Sequence, residues 1–286
     1  MKFARFLLDS KEHVGLVDIE RSVIRSLDSS IRDPTQVMAQ RAELIPASSN
    51  AEGIPLQQVR LLAPVVPRRN IFCVGKNYRE HAKEFAGSGY EAGAVKGAEI
   101  DEYPAVFSKP PSTIVGTGDD VQLHAHVTDS VDYEAELAII IGKAGRDIQA
   151  EHALEHVWGY TIINDVTARD RQRHHKQWFL GKSLDTFCPM GPWITTADEI
   201  KPDELDVKCW VNGELRQDAN TKNLIFPIPQ LISTISAGLT LEPGDVIATG
   251  TPAGVGIGFN PPRFLKAGDE VKISITNLGT LVNRFV

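Results

Sequence analysis

Cysteine is scarce in this chain. Its 286 residues include only three, Cys73, Cys188 and Cys209, widely spaced and without a CxxC pair, which supports neither a disulfide framework nor a thiolate zinc site and points to a reducing compartment. Positive charge is also short. Thirty Lys and Arg stand against 37 Asp and Glu, a net charge of −7, whereas nucleic-acid binders concentrate a basic face. No apolar run approaches the ~20 residues that a membrane span needs, and the first segment already carries Asp9, Glu12, Asp18 and Glu20, where targeting peptides are poor in acids. A cytoplasmic protein with no nucleic-acid or membrane partner is expected. Internal repeats and low-complexity tracts are missing too. The glycine-rich run ATGTPAGVGIG lacks both the GK[ST] of a phosphate loop and a GxGxxG fingerprint, so nucleotide binding is not expected.

What remains is an ordinary globular composition, 42% hydrophobic and 23% charged, in a chain about twice the usual domain length. Alternating residues predict strands at Lys2 to Leu8 and His13 to Ile19, and Pro34 opens a short helix to Leu44. Ile45 to Arg69, rich in proline and without periodicity, reads as a linker, so a small β-rich N-terminal domain with its linker is expected over residues 1–69 and a larger domain over 70–286. Gly87 to Gly97, with four glycines, reads as a mobile loop. From Pro104 onward, strand-like runs alternate with turn signals such as Asn212-Gly213, and helices interrupt near Ala150 to His156 and Pro229 to Ala237. Strands outnumber helices without a βαβ rhythm, which favours an α+β fold with a mixed sheet over a doubly wound or TIM fold.

The segment VDYEAELAIIIG carries the most chemical information. On a strand, Glu134 and Glu136 share a face at ~7 Å spacing beside an apolar run. Such a pair must be exposed, protonated, salt-bridged or bound to a cation, because burying an unpaired carboxylate costs several kcal/mol. Asp165 ends the apolar strand of HVWGYTIINDVTARD, where it is either a third acid of the same site or a cap, with Thr167 and Asp170 spaced like a capping box. Three carboxylates form a hard oxygen set that suits Mg²⁺ or Mn²⁺, with Ca²⁺ as a further candidate, better than zinc or copper. Arg169 and Gln172 fall on one helical stripe, and Lys182 lies among apolar and small residues as either a snorkelling lysine or an anion contact. His81 and Glu84, three apart, form either a surface pair or a general base with its orienting acid. Backbone N–H groups around Thr251 can hold a carboxylate or simply make a tight turn. His124 and His126 share a strand face and read as a surface pair.

In this order, GKNYREH, YEAELAIIIG, NDVTARDRQ, KQWFLGKSLDTFCPMGP and PGDVIATGTPAGVG together resemble the fumarylacetoacetate hydrolase family over roughly residues 70–286, most of all its small bacterial and mitochondrial members. The resemblance implies a mixed-sheet sandwich or roll, a divalent metal on Glu134, Glu136 and Asp165, a lid carrying the His81 and Glu84 dyad, substrate contacts from Arg169, Gln172, Lys182 and Thr251, and a homodimer. Lys182 is placed with the dyad as catalytic. It implies further a small anionic keto-acid substrate, cleaved at a C–C bond as in acylpyruvates or fumarylacetoacetate. The alternatives are oxaloacetate tautomerisation or decarboxylation, or dienoate isomerisation, because a cation that stabilises an enolate serves them all.

Overall fold

The computed structural model describes residues 1–38, 53–90 and 101–286. The apolar runs of the sequence become strands of a mixed α+β fold with two large sheets, of 12 and five strands among the described residues. Across the larger sheet the order is Ile54–Pro55, Val23–Ser26, Lys11–Asp18, Lys2–Leu8, Cys188–Thr196, Val157–Asn164, Ala135–Ile141, Val246–Ala248, Ile71–Gly75 and Ala105–Lys109, with two short strands off this path. The smaller runs Glu214–Asn220, Asp206–Val211, Glu270–Ile275, Gly279–Phe285 and Asp120–Val121. Its hairpin turn is the expected Asn212-Gly213, both at positive φ.

The strand Ala135–Ile141 explains why its sequence is continuously apolar. Leu137, Ile139 and Ile141 pack into a core with Val207, Val271 and Ile273 of the five-stranded sheet, whereas Ala138 and Ile140 face a second core with Phe3, Trp158 and Ile194. Both faces are covered, so no polar alternation is needed. By the same period of two, Glu134 and Glu136 lie on the side of Ala138.

Several sequence expectations change in this structure. Cys188–Thr196 is a wholly buried strand that its two prolines and one glycine disguise; its ladder with Val157–Asn164 is interrupted between Tyr160 and Ile162, where Pro192 falls. The helix opened by Pro34 is described to Met38, and the rest of its expected span to Leu44 lies outside the described residues. Within the expected linker, residues 45–52 are likewise outside; beyond them Ile54–Pro55 pairs with Val23–Ser26 and Arg60–Leu61 pairs with Lys2–Leu8. Proline is tolerated there because Ile54–Pro55 is a sheet edge. Lys2–Leu8 in turn pairs with Cys188–Thr196, so the N-terminal strands extend the sheet that carries Glu136. Ala150–His156 winds as a 3-10 helix. His124 sits at positive φ in a turn closed by Val127 and Thr128 rather than on a strand. Among the described residues, no helix is long and apolar enough to cross a membrane.

Candidate active site

Glu134, Glu136 and Asp165 converge at the ends of two paired strands. Ala135 pairs with Asn164 and Glu136 with Ile163, and the pairing continues past the strand ends: Asp165 N–H donates to the Glu134 carbonyl at 2.8 Å, and Glu134 N–H to the Asn164 side chain at 3.0 Å. One oxygen from each acid lies within 4.8 Å of the others, and all three residues are buried. Their surroundings differ. Lys182 Nζ donates to Glu134 at 2.6 Å and to Asp165 at 2.7 Å, while Glu136 accepts the Gly250 N–H at 2.8 Å and, among the described residues, forms no ion pair. Burial pushes the Glu136 carboxyl well above its usual range, and the neighbouring Asp165 and Glu134 push it further. Burial acts on Glu134 in the same sense, but the charges of Lys182 and Arg169 outweigh it and hold that carboxyl low. Hard, convergent oxygens with one unneutralised member fit a hard divalent cation.

Beside the acids lies a small cleft lined by His81, Arg169, Gln172, Lys182 and Thr251 among others, so these residues singled out from the sequence meet at one place. Arg169 donates from Nε to Asp132 at 2.9 Å and from Nη1 to Gln172 at 3.2 Å, and its Nη2 stands 2.7 Å from Glu134. That last contact is an ion pair, and among the described residues the buried Nη2 has no well-directed hydrogen-bond acceptor. Such a donor suits an incoming carboxylate. Arg169 opens the helix Arg169–His174, whose cap, Ala168, has no side-chain bond. The expected capping box is therefore absent: Thr167 donates to the Asp165 carbonyl, and Asp170 accepts from Thr128. Asp165 precedes the helix and reaches the site through the strand end.

His81 and Glu84 meet on the helix Arg79–Gly87, with His81 Nδ1 3.1 Å from Glu84. A carboxylate only accepts, so Nδ1 donates and Nε2 keeps a lone pair. Glu84 also accepts the Gly254 N–H at 3.0 Å, which ties the helix to the glycine-rich run. Any Cβ at Gly258 would overlap the Glu84 carboxylate, so this glycine makes room for the dyad. Thr251 accepts from Gln217 Nε2 at 2.8 Å, which leaves its own hydroxyl hydrogen for another acceptor. Of the expected mobile loop, residues 91–97 lie outside the described residues; Tyr90, just before them, packs edge-on against Phe264.

Three contributors escaped the sequence. Lys109, fully buried, donates to Asp165 at 2.6 Å and to the Val166 carbonyl. Asp132 accepts from Arg169 and from the N–H groups of Gly256 and Ile257. Gln217 fixes Thr251. The only cue was a polar residue flanking a strand-like run, Lys109 after AVFS and Asp132 before the glutamates.

Against known proteins, residues 70–286 match the family model described as fumarylacetoacetate (FAA) hydrolase C-terminal, and residues 1–64 match one described as Rv2993c-like, N-terminal. The chain is 53% identical over 231 residues, 80% of its length and 74% of the relative's, to oxaloacetate tautomerase YisK of Bacillus subtilis. The fold superposes on a fumarylacetoacetate hydrolase from Exiguobacterium antarcticum with a TM-score of 0.86 at 43% identity, covering 100% of this chain and 99% of that one. A maleylpyruvate hydrolase from Sphingobium sp. SYK-6, in complex with manganese(II) and pyruvate, is similar at a TM-score of 0.79 and 34% identity, over 100% of this chain and 99% of that one.

Proposed function

The chain belongs to the fumarylacetoacetate hydrolase family, and from that premise we propose that it is a divalent-metal-dependent keto–enol tautomerase of a small 2-keto acid of the oxaloacetate type. One observation carries the reading: three buried carboxylates converge beside a cleft that also receives His81, and Glu84 holds His81 from behind. Glu134, Glu136 and Asp165 would hold Mg²⁺ or Mn²⁺. When bound, the ion supplies a Lewis acid that polarises a keto oxygen and stabilises the charge developing as a neighbouring proton leaves.

The chain's own groups do the rest. His81 Nε2 takes the proton from the carbon next to the carbonyl and delivers it to the enolate oxygen, the reverse path turning enol to keto, while Glu84 stabilises the imidazolium formed in between. Arg169 Nη2, Gln172 and the Thr251 hydroxyl orient the acid's carboxylate. Lys182 balances Glu134 and Asp165, as Lys109 balances Asp165 from behind. Around the metal position, Glu84 beyond His81 not counted, four carboxylates, Asp132 included, and three cations leave −1, and a divalent ion raises this to +1. An anionic substrate is then favoured.

Tautomerisation asks only for this proton transfer, and the identity to the Bacillus tautomerase supports it. Hydrolysis of an acylpyruvate is the second reading, favoured by the likeness to the two hydrolases, and it requires in addition a water activated by His81. A panel of oxaloacetate and acylpyruvates, with and without Mn²⁺ and after chelation, tests the choice. Mass spectrometry should find oxaloacetate unchanged in mass while its enol absorbance decays faster. Metal-dependent cleavage of an acylpyruvate with no effect on the oxaloacetate enol would replace the tautomerase by the hydrolase.

A further inference from the structure

Resting on the reading of this cleft as a keto-acid site, we propose that Lys76 is its specificity determinant: it takes the remote carboxylate of a dicarboxylic substrate, and Asp101 is the counter-ion that this carboxylate displaces. Among the described residues, Lys76, Arg169 and Lys182 are the cations that line the cleft. Lys182 is committed to the acidic core through Glu134 and Asp165, and Arg169, paired with Asp132 and Glu134, has only its Nη2 to offer, which the carboxylate beside the keto group takes. Lys76 instead pairs at 2.5 Å with Asp101, a partner outside the cleft lining, and its side chain is only 9% exposed. A cation that is nearly buried yet held by a peripheral, partly exposed acid can exchange that acid for a ligand carboxylate without uncovering the core.

The backbone supports the same conclusion. Lys76 has φ +53°, a left-handed conformation that L residues other than Asn and Asp seldom adopt. Its neighbours enforce it. Gly75 ends the strand Ile71–Gly75 where any Cβ would run into the Trp178 ring. Asn77, fully buried, is fixed by hydrogen bonds to the Phe226 carbonyl, the Thr249 carbonyl and the Phe226 N–H. Between these anchors the chain turns sharply from strand to the helix that carries His81, and Lys76 faces the cleft at the turn. Strained conformations of this kind persist where their surroundings over-determine them, commonly at ligand clamps.

The charges agree. A monocarboxylate neutralises a metal-loaded site of +1, whereas a dicarboxylate leaves one negative charge over. Lys76, released from Asp101, is the cleft cation free to meet it.

Malate and lactate share a 2-hydroxy-acid head, but only malate carries a remote carboxylate, which makes them suitable calorimetric probes of the full chain in saturating Mn²⁺. The wild type should prefer malate by about 10- to 100-fold, the scale of one hydrogen-bonded charge pair. Lys76→Met should shrink that preference to about twofold or less, Lys76→Arg should retain most of it, and Asp101→Asn, at the partly exposed partner, should tighten malate severalfold and lactate hardly at all. A wild type that does not discriminate, a folded Lys76→Met that still does, or Asp101→Asn with unchanged malate affinity would each overturn the proposal. Should the wild type fail to tautomerise oxaloacetate while these variants behave as expected, the tautomerase reading falls and the role of Lys76 stands.

Discussion

Replacing Glu136 by Gln should move stability and metal affinity in opposite directions. Gln keeps an oxygen for the Gly250 N–H, 2.8 Å away in the native protein, and removes the one carboxylate of the three that forms no ion pair among the described residues. Without metal, relief of that buried charge should stabilise the variant by about 1–4 kcal/mol. In a chain of 286 residues this is a rise in Tm of about 2 °C per kcal/mol. With metal that advantage shrinks by about 2.3 kcal/mol. Loss of one ligand should weaken Mn²⁺ binding by about 100-fold or more, so at a Mn²⁺ concentration of about 100 times the wild-type Kd the wild type gains about 2.7 kcal/mol and the variant about 0.4 kcal/mol. Differential scanning calorimetry with and without Mn²⁺ measures both. A metal-free variant less stable than the wild type, or equal metal-induced shifts in the two proteins, would refute the reasoning.

His81→Ala should lower kcat for oxaloacetate tautomerisation by roughly 10²- to 10⁴-fold with Mn²⁺ affinity unchanged; a near-wild-type rate would return His81 and Glu84 to a simple helical pair. Glu84→Gln should cause a smaller loss, and the double variant less than the sum, because the two residues act as one unit. Gly258→Ala, whose Cβ would overlap the Glu84 carboxylate, should lower kcat as Glu84→Gln does and destabilise the fold by about 1–3 kcal/mol, read by kinetics and urea melts. Burial pushes the Cys188 thiol up to about 12 and raises Cys73 and Cys209 as well, so a thiol reagent at pH 8 should label none of the three before the chain unfolds.

Much of the acidic site was legible because its chemistry is local. Glu134 and Glu136 announce themselves by period two, His81 and Glu84 by helical spacing, and Asp165 by its place after an apolar strand. Their meeting follows from the pairing of Ala135–Ile141 with Val157–Asn164. The supporting groups come from distant segments: Lys109 reaches Asp165 across 56 positions, and Gln217 reaches Thr251 across 34. No local pattern marks such contacts. In the fold, Cys188–Thr196 was hidden because its prolines argue against a central strand, and only the interrupted ladder beside Tyr160 and Ile162 reconciles them. The capping box at Thr167 failed for a related reason: a two-residue pairing of Val131–Asp132 with Thr167–Ala168 engages that backbone before the helix begins.

The central claim is that three carboxylates hold a metal and that His81 moves a proton beside it. Freshly dissolved enol-oxaloacetate, followed by its ultraviolet absorbance with the metal-free chain, with added Mn²⁺ and again after chelation, tests that claim most directly. The account predicts that Mn²⁺ brings enzyme-dependent decay of the enol without release of CO₂, and that chelation or His81→Ala removes it. Decay no faster than in buffer with saturating Mn²⁺, or the same acceleration with and without metal, would contradict it.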